Sequence, residues 1–140
     1  MFCKKLLAGE AARINGDGRY VRDYVYGPDV AAANLAALTF GDAAVPPGQL
    51  VSLNIGTGVG TDVNQLEELV RQKMTALLAA AGRPAALPPP EHGPARVGDL
   101  RSNLVAADRA AEVLAWRPTT VLEAGLAATA RWFLEQAAGS

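Results

Sequence analysis

The sequence is poor in the residues on which most hydrolytic, redox and metal chemistry depends, with one cysteine and one histidine among its 140 residues. A lone Cys3 cannot close a disulfide within the chain, and a free thiol fits a reducing compartment, so a cytoplasmic location is expected. His92 has no companion histidine or cysteine around it, which excludes a zinc site of three or four such ligands and leaves a solvated loop histidine as the expectation. The same scarcity leaves Ser-His-Asp and Cys-His arrangements unsupported, and the G-x-x-x-x-G-K-[ST] phosphate loop does not occur. None of Tyr20, Tyr24 and Tyr26 is followed by a lysine four residues on. No catalytic residue and no metal ligand is therefore expected in the chain itself.

Charge of one sign is also missing. Thirteen Lys and Arg stand against fourteen Asp and Glu, for a net charge of −1. Such a balance supplies no basic field for nucleic acid, so any phosphate must be held by individual arginines. No apolar stretch approaches the roughly 18 residues a membrane span needs. The start, Met1-Phe2-Cys3-Lys4-Lys5, lacks the long apolar core of a signal peptide, so no membrane association is expected.

What is present is an ordinary globular composition, half hydrophobic and 19% charged, which argues against disorder. The length suits one domain, residues 1–140, around one core. The element pattern is α/β in class, with mixed α+β order. Phe2–Leu7 reads as a short helix stopped at Gly9, and a strand over about 12–15 leads into a glycine turn. A second strand over 20–26 is ended by Pro28. Asp29 is positioned to cap a helix to about Leu38, and Phe40–Gly48 is loop broken by Pro46-Pro47-Gly48.

The stretch Ile14-Asn15-Gly16-Asp17-Gly18-Arg19-Tyr20-Val21-Arg22-Asp23 organises the rest. Gly16 and Gly18 give access to positive φ, and the strand that follows carries Arg22 among aromatics. A guanidinium held on a strand offers phosphate a planar fork of donors. Arg22 and Asp23 can equally be strand charges satisfied by neighbours.

Leu50–Ile55 alternates as a strand and runs into Gly56-Thr57-Gly58 and a long helix over 63–81. Strand, glycine loop and helix suggest a dinucleotide fingerprint, but Thr61 holds the third small-residue position and Leu78, inside the helix, lies where an acidic residue is needed. Asp62 with Gln65 reads more simply as a capping box. The segment 82–98 holds Pro84, Pro88, Pro89, Pro90 and Pro94, so it is a connector with at best a short extended piece. It ends on Arg96-Val97-Gly98-Asp99-Leu100-Arg101, a second convergence of arginine, glycine and aspartate. Ala106–Leu114 reads as a helix. Thr120 with Glu123 reads as a capping box for a last helix with one apolar stripe, Leu122, Leu126, Ala130, Phe133 and Leu134. Trp116 and Trp132 read as packing residues.

Several motifs in this order resemble the C-terminal part of the extended short-chain dehydrogenase/reductase family, most of all its UDP-glucose 4-epimerases. They are Ile14 to Gly18, Arg22-Asp23-Tyr24-Val25-Tyr26 with Asp29-Val30, Asn54-Ile55-Gly56-Thr57-Gly58, Arg96 with Gly98-Asp99-Leu100, and Leu114 with Trp116-Arg117-Pro118. The resemblance implies the small substrate-binding part of such an enzyme, lacking the N-terminal Rossmann sheet that binds NAD and supplies a Tyr-x-x-x-Lys pair. By carry-over, Arg22 and Arg96 would grip the diphosphate of a UDP-sugar and Asp99 would accept the ribose hydroxyls. The Arg13-Ile14-Asn15 edge would lie by the uracil.

The implied whole enzyme moves a hydride from C4 of the sugar to NAD and returns it to the other face. The cofactor-binding half is not in this chain, so alone it would be inactive. Two departures stand out: Gly27-Pro28 before Asp29, and Ala106 where an aspartate is usual, the latter removing a cap at about 1 kcal/mol. An apolar face on the helix from Asp29 should be left uncovered, to be hidden by homodimerisation or by a separate NAD-binding half. Open alternatives are a non-catalytic nucleotide-sugar binding module, a ligand-free structural fragment, and a dehydratase, decarboxylase or reductase of the same family.

Overall fold

A computed structural model describes residues 2–40, 45 and 48–138 of the chain. Its elements, in order, are α1 (Phe2–Leu7), β1 (Arg13–Asn15), β2 (Val21–Asp23), α2 (Gly27–Leu38), β3 (Gly60–Asp62), α3 (Val63–Ala80), β4 (Glu91–Gly93), β5 (Ser102–Asn103), α4 (Asp108–Leu114) and α5 (Leu122–Ala138). β1 and β4 pair in parallel, with Ile14 opposite His92. The second sheet has the order β3-β2-β5. The chain forms two compact units: Met1–Arg22 with Thr61–Ser102 and Glu123–Ser140, and Asp23–Gly60 with Asn103–Leu122.

Each unit has its own apolar cluster, where the length predicts one core. In the first, Cys3 and Leu6 of α1, Val70 and Met74 of α3 and Ala130 of α5 are buried together. Leu126 and Phe133 join them from the stripe read on the last helix. Trp132 lies off that stripe and is 53% exposed, meeting the Phe133 ring edge-on at 4.9 Å, so it is not the packing residue expected. α3 starts as its sequence predicts: Asp62 accepts from the Gln65 N–H at 2.8 Å, and the Gln65 side chain accepts from the Asp62 N–H at 3.3 Å. These two amides are satisfied locally, while the Asn64 N–H in the same turn bonds the Gly18 carbonyl at 3.2 Å.

In the second unit, Ala33, Ala110 and Trp116 form the buried cluster, with Leu53, Ile55, Ala107 and Leu114 against it. Asp29 does not cap α2. Gly27 and Pro28 already occupy the first helical turn, because proline's fixed φ suits that place. Tyr26 holds the N-cap position with no side-chain bond. Asp29 is instead buried, accepting from the Thr119 hydroxyl at 2.8 Å and the Thr120 N–H at 3.0 Å, while its carbonyl accepts from the Trp116 indole at 2.9 Å. Burial opposes its ionisation, but these donors outweigh it and hold the carboxyl below its usual range. The N–H of Thr120, a residue expected in the capping box of the last helix, thus serves Asp29.

Helix α2 is alanine-rich and buries only Asp29 and Ala33, leaving Leu35 and Leu38 at 63% and 82% exposure. Among the described residues, these two leucines form an exposed apolar patch on the helix.

Two strand expectations are corrected. The strand read over 20–26 pairs only at Val21–Asp23, and 24–26 is irregular backbone leading into α2. Leu50–Ile55 is not a strand: among the described residues it has no ladder partner, and Leu50 is 93% exposed. Leu53 and Ile55 pack from irregular backbone instead. The connector after α3 does hold a short extended piece, and it is β4. The helix read from Ala106 begins at Asp108, behind an N-cap Ala107 that makes no side-chain bond. Of the predicted loop over 40–48, Pro46 and Pro47 lie outside the described residues.

Candidate functional site

All six residues expected to touch a ligand belong to the first unit. Arg22 sits at the centre of β2, where pairing of the Val21 N–H with the Arg101 carbonyl at 2.8 Å brings residues 99–101 alongside. Its Nη1 donates to the Val21 carbonyl at 2.8 Å and to the Leu100 carbonyl at 2.7 Å, and its Nη2 pairs with Asp99 Oδ1. Both side chains keep contact with solvent, at 26% and 33% exposure.

Asp99 and Arg96 are the ends of one tight turn. The Asp99 N–H bonds the Arg96 carbonyl at 3.3 Å, and Gly98 holds φ +80° at the third position, a conformation that favours glycine. Arg96 is exposed and its guanidinium has no partner among the described residues. One arginine is thus engaged by a carboxylate, and the other is free three residues from that carboxylate.

β1 supplies the remaining three in different ways. Arg13 and Asn15 are exposed, whereas Ile14 is 1% exposed. The Ile14 side chain is therefore interior, and only its backbone could face a ligand. Arg13 lies over Gly93, where a Cβ would come within 2.7 Å of its Nε, so the absence of a side chain there makes room for the guanidinium.

Reading the sequence missed the bonds that hold this cluster. Asp17, in the turn between Gly16 and Gly18, receives both Nη groups of Arg101 at 2.9 to 3.1 Å, and Arg101 stacks over Tyr20 at 4.9 Å. The Arg101 bonds, helped by the Arg19 N–H, lower the Asp17 pKa to about 2. Asn64 donates to the Asp17 carbonyl at 2.9 Å. His92 is exposed but not a free loop histidine: it stands in β4, and its Nδ1 donates to the Gly16 carbonyl at 2.8 Å. The presence of Asp17 between glycines and of Arg101 beside Asp99 was visible, but 84 residues separate the pair.

In the second unit, the Gly56–Gly58 loop does not fit a cofactor pyrophosphate. Its amides are already spent: Thr57 N–H and hydroxyl reach Asp23 Oδ1 at 2.9 and 2.6 Å, and Gly58 N–H reaches Oδ2 at 2.9 Å. Burial works against the charge on Asp23, yet these bonds keep its carboxyl below the ordinary range. A cleft of about 410 Å³ opens beside the loop, lined by Thr57, Gly58, the 104–108 segment and Arg117. None of the expected site residues lines it. Among the described residues, no three His, Cys, Asp or Glu side chains group so as to hold a metal ion, and no helix is long and apolar enough to cross a membrane.

The family model of the NAD dependent epimerase/dehydratase family matches residues 1–56. The UDP-glucose 4-epimerase of Mycolicibacterium smegmatis is 39% identical over 133 residues, covering 95% of this chain and 37% of its own length. Among solved structures, the UDP-glucose 4-epimerase of Thermotoga maritima with UDP-glucose superposes with a TM-score of 0.76 at 39% identity, over 97% of this chain and 38% of that one. MoeE5 in complex with UDP-glucuronic acid and NAD gives 0.73 at 30% identity, over 97% and 42%. The chain thus spans well under half the length of these relatives. It belongs to the NAD-dependent epimerase/dehydratase family.

Proposed function

We propose that the chain is the nucleotide-sugar-binding portion, residues 1–140, of an NAD-dependent UDP-sugar 4-epimerase that interconverts UDP-glucose and UDP-galactose. The observation that carries this reading is the meeting of Arg22 and Asp99 across 77 residues, with Arg96, whose guanidinium has no partner among the described residues, on the same turn as Asp99. Two guanidiniums suit a diphosphate, since each presents parallel N–H donors to phosphate oxygens. A carboxylate suits a ribose, whose vicinal hydroxyls can both donate to it. In this reading the exposed Arg13 and Asn15, with the backbone of Ile14, border the uracil.

The chain's residues bind and orient. No tyrosine here has a lysine four residues on, so in this reading the Tyr-x-x-x-Lys pair belongs to another portion. The Rossmann sheet and NAD belong in this reading to a portion outside the chain, which would cover the exposed Leu35 and Leu38 of α2 or leave them to a homodimer contact. The buried, free Cys3 is in keeping with a cytoplasmic enzyme.

Calorimetric titration at low salt tests the reading, with UDP, ADP and NAD as ligands. UDP should bind, NAD should not, and an Arg22→Ala, Arg96→Ala double variant should lose UDP. Equal binding of UDP by that variant, or no UDP heat from folded protein, defeats the nucleotide site. Restored epimerisation on adding an NAD-binding half separates a catalytic portion from a binding module, and the product formed separates epimerase from dehydratase, decarboxylase or reductase.

A further inference from the structure

We propose that Asp99 weakens the binding of a diphosphate that lacks a ribose diol, and so biases this site toward nucleotides over free phosphates. The proposal rests on the nucleotide reading of Arg22, Arg96 and Asp99. Two backbone carbonyls, of Val21 and Leu100, hold Nη1 of Arg22. The nitrogen that no carbonyl holds, Nη2, is the one Asp99 occupies. The carboxylate stands where a phosphate oxygen would stand.

The consequence differs by ligand. Pyrophosphate arriving at Arg22 must dislodge Asp99 or share one guanidinium with it, and either way the carboxylate gains no donor from the ligand in return and faces a second anion. A nucleotide brings two ribose hydroxyls. Asp99 then exchanges one donor for others, and Nη2 passes to the phosphate without leaving a charge unmatched. Arg96, with no partner to lose among the described residues, contributes equally to both ligands. Discrimination therefore resides in the Arg22–Asp99 pair. Both members lie partly in solvent, so the competition should change affinity about two- to fivefold, the range of a partly exposed ion pair.

Titration of the whole chain with UDP, uridine diphosphate lacking both ribose hydroxyls, and inorganic pyrophosphate tests this. Asp99→Asn should bind pyrophosphate about two- to fivefold more tightly than wild type, and its preference for UDP over the dideoxy compound should shrink. Asp99→Ala is the second variant and should show the same pyrophosphate gain. In an Arg22→Ala background the Asp99→Asn gain should vanish, which separates release of a guanidinium from loss of a negative charge. An unchanged or weaker pyrophosphate affinity in both Asp99 variants, or a gain that persists without Arg22, overturns the proposal while UDP binding by wild type leaves the nucleotide site standing. Absence of UDP binding by wild type overturns both.

Discussion

Removing the Asp23 carboxylate should unfasten the Gly56–Gly58 loop, and the size of the effect follows from its bonds. Three donors converge on the group: the Thr57 N–H, the Thr57 hydroxyl and the Gly58 N–H, all within 2.9 Å of one oxygen or the other. A hydrogen bond to a charged acceptor contributes about 1.5–3 kcal/mol, and the donors left behind lose their partner when it goes. Asp23 is only half-buried, so water recovers part of that loss and the sum must be discounted. Asp23→Ala should therefore destabilise by about 2–4 kcal/mol, and Asp23→Asn, which keeps one acceptor oxygen but points an amide at a donor, by about 1–3 kcal/mol.

Urea unfolding at neutral pH measures this directly, as a lower midpoint at unchanged slope. The pH dependence supplies a second reading. Because the folded carboxyl titrates below its unfolded value, near 3.9, its contribution is fully present above that value and is lost as pH falls through the folded one. Wild type should thus lose stability on acidification over that window faster than Asp23→Ala does. A variant within about 0.5 kcal/mol of wild type, with the same acid limb, would show that the loop is held by something other than these bonds.

Three further outcomes are expected. Gly56→Ala places a Cβ 2.7 Å from Asp23 Oδ2 and into Val105, and should destabilise by about 1–3 kcal/mol in the same assay; a neutral result would mean that the loop yields. Met74, wholly buried among α1, α3 and α5, should cost about 2–4 kcal/mol when changed to Ala, read as a lowered thermal midpoint. Arg101→Gln should return the Asp17 pKa from about 2 toward the ordinary carboxylate range, followed by NMR titration of the side chain. An unmoved value would show that the Arg19 N–H, not Arg101, holds it down.

How much was legible in the chain divides along the range of the interactions involved. The start of α3 could be read because Asp62 and Gln65 satisfy each other three residues apart, and α1 because Gly9, at φ +74°, stops it within its own turn. Arg22, Arg96 and Asp99 were singled out because arginine near glycine and aspartate is chemistry of a recognisable kind, and a resemblance gave it a ligand. Ile14 was named with them as an edge residue, and no local signal distinguishes an apolar side chain that borders a ligand from one that enters the core.

Sequence alone determined the helices with self-contained signals and picked out Arg22, Arg96 and Asp99 as residue types suited to a phosphate and a diol. Tertiary structure decided which donors meet which acceptors: Asp29 with Thr119 and Thr120 rather than its own helix start, Asp23 with Thr57 and Gly58, Asp17 with Arg101, and Asp99 with Arg22. It also decided that Leu50–Ile55 is no strand, because a strand is defined by a neighbour to pair with. The physical reason is common to all of these. A carboxylate at a turn can serve the nearest amide or one far along the chain, and burial and approach, which packing alone arranges, select between them.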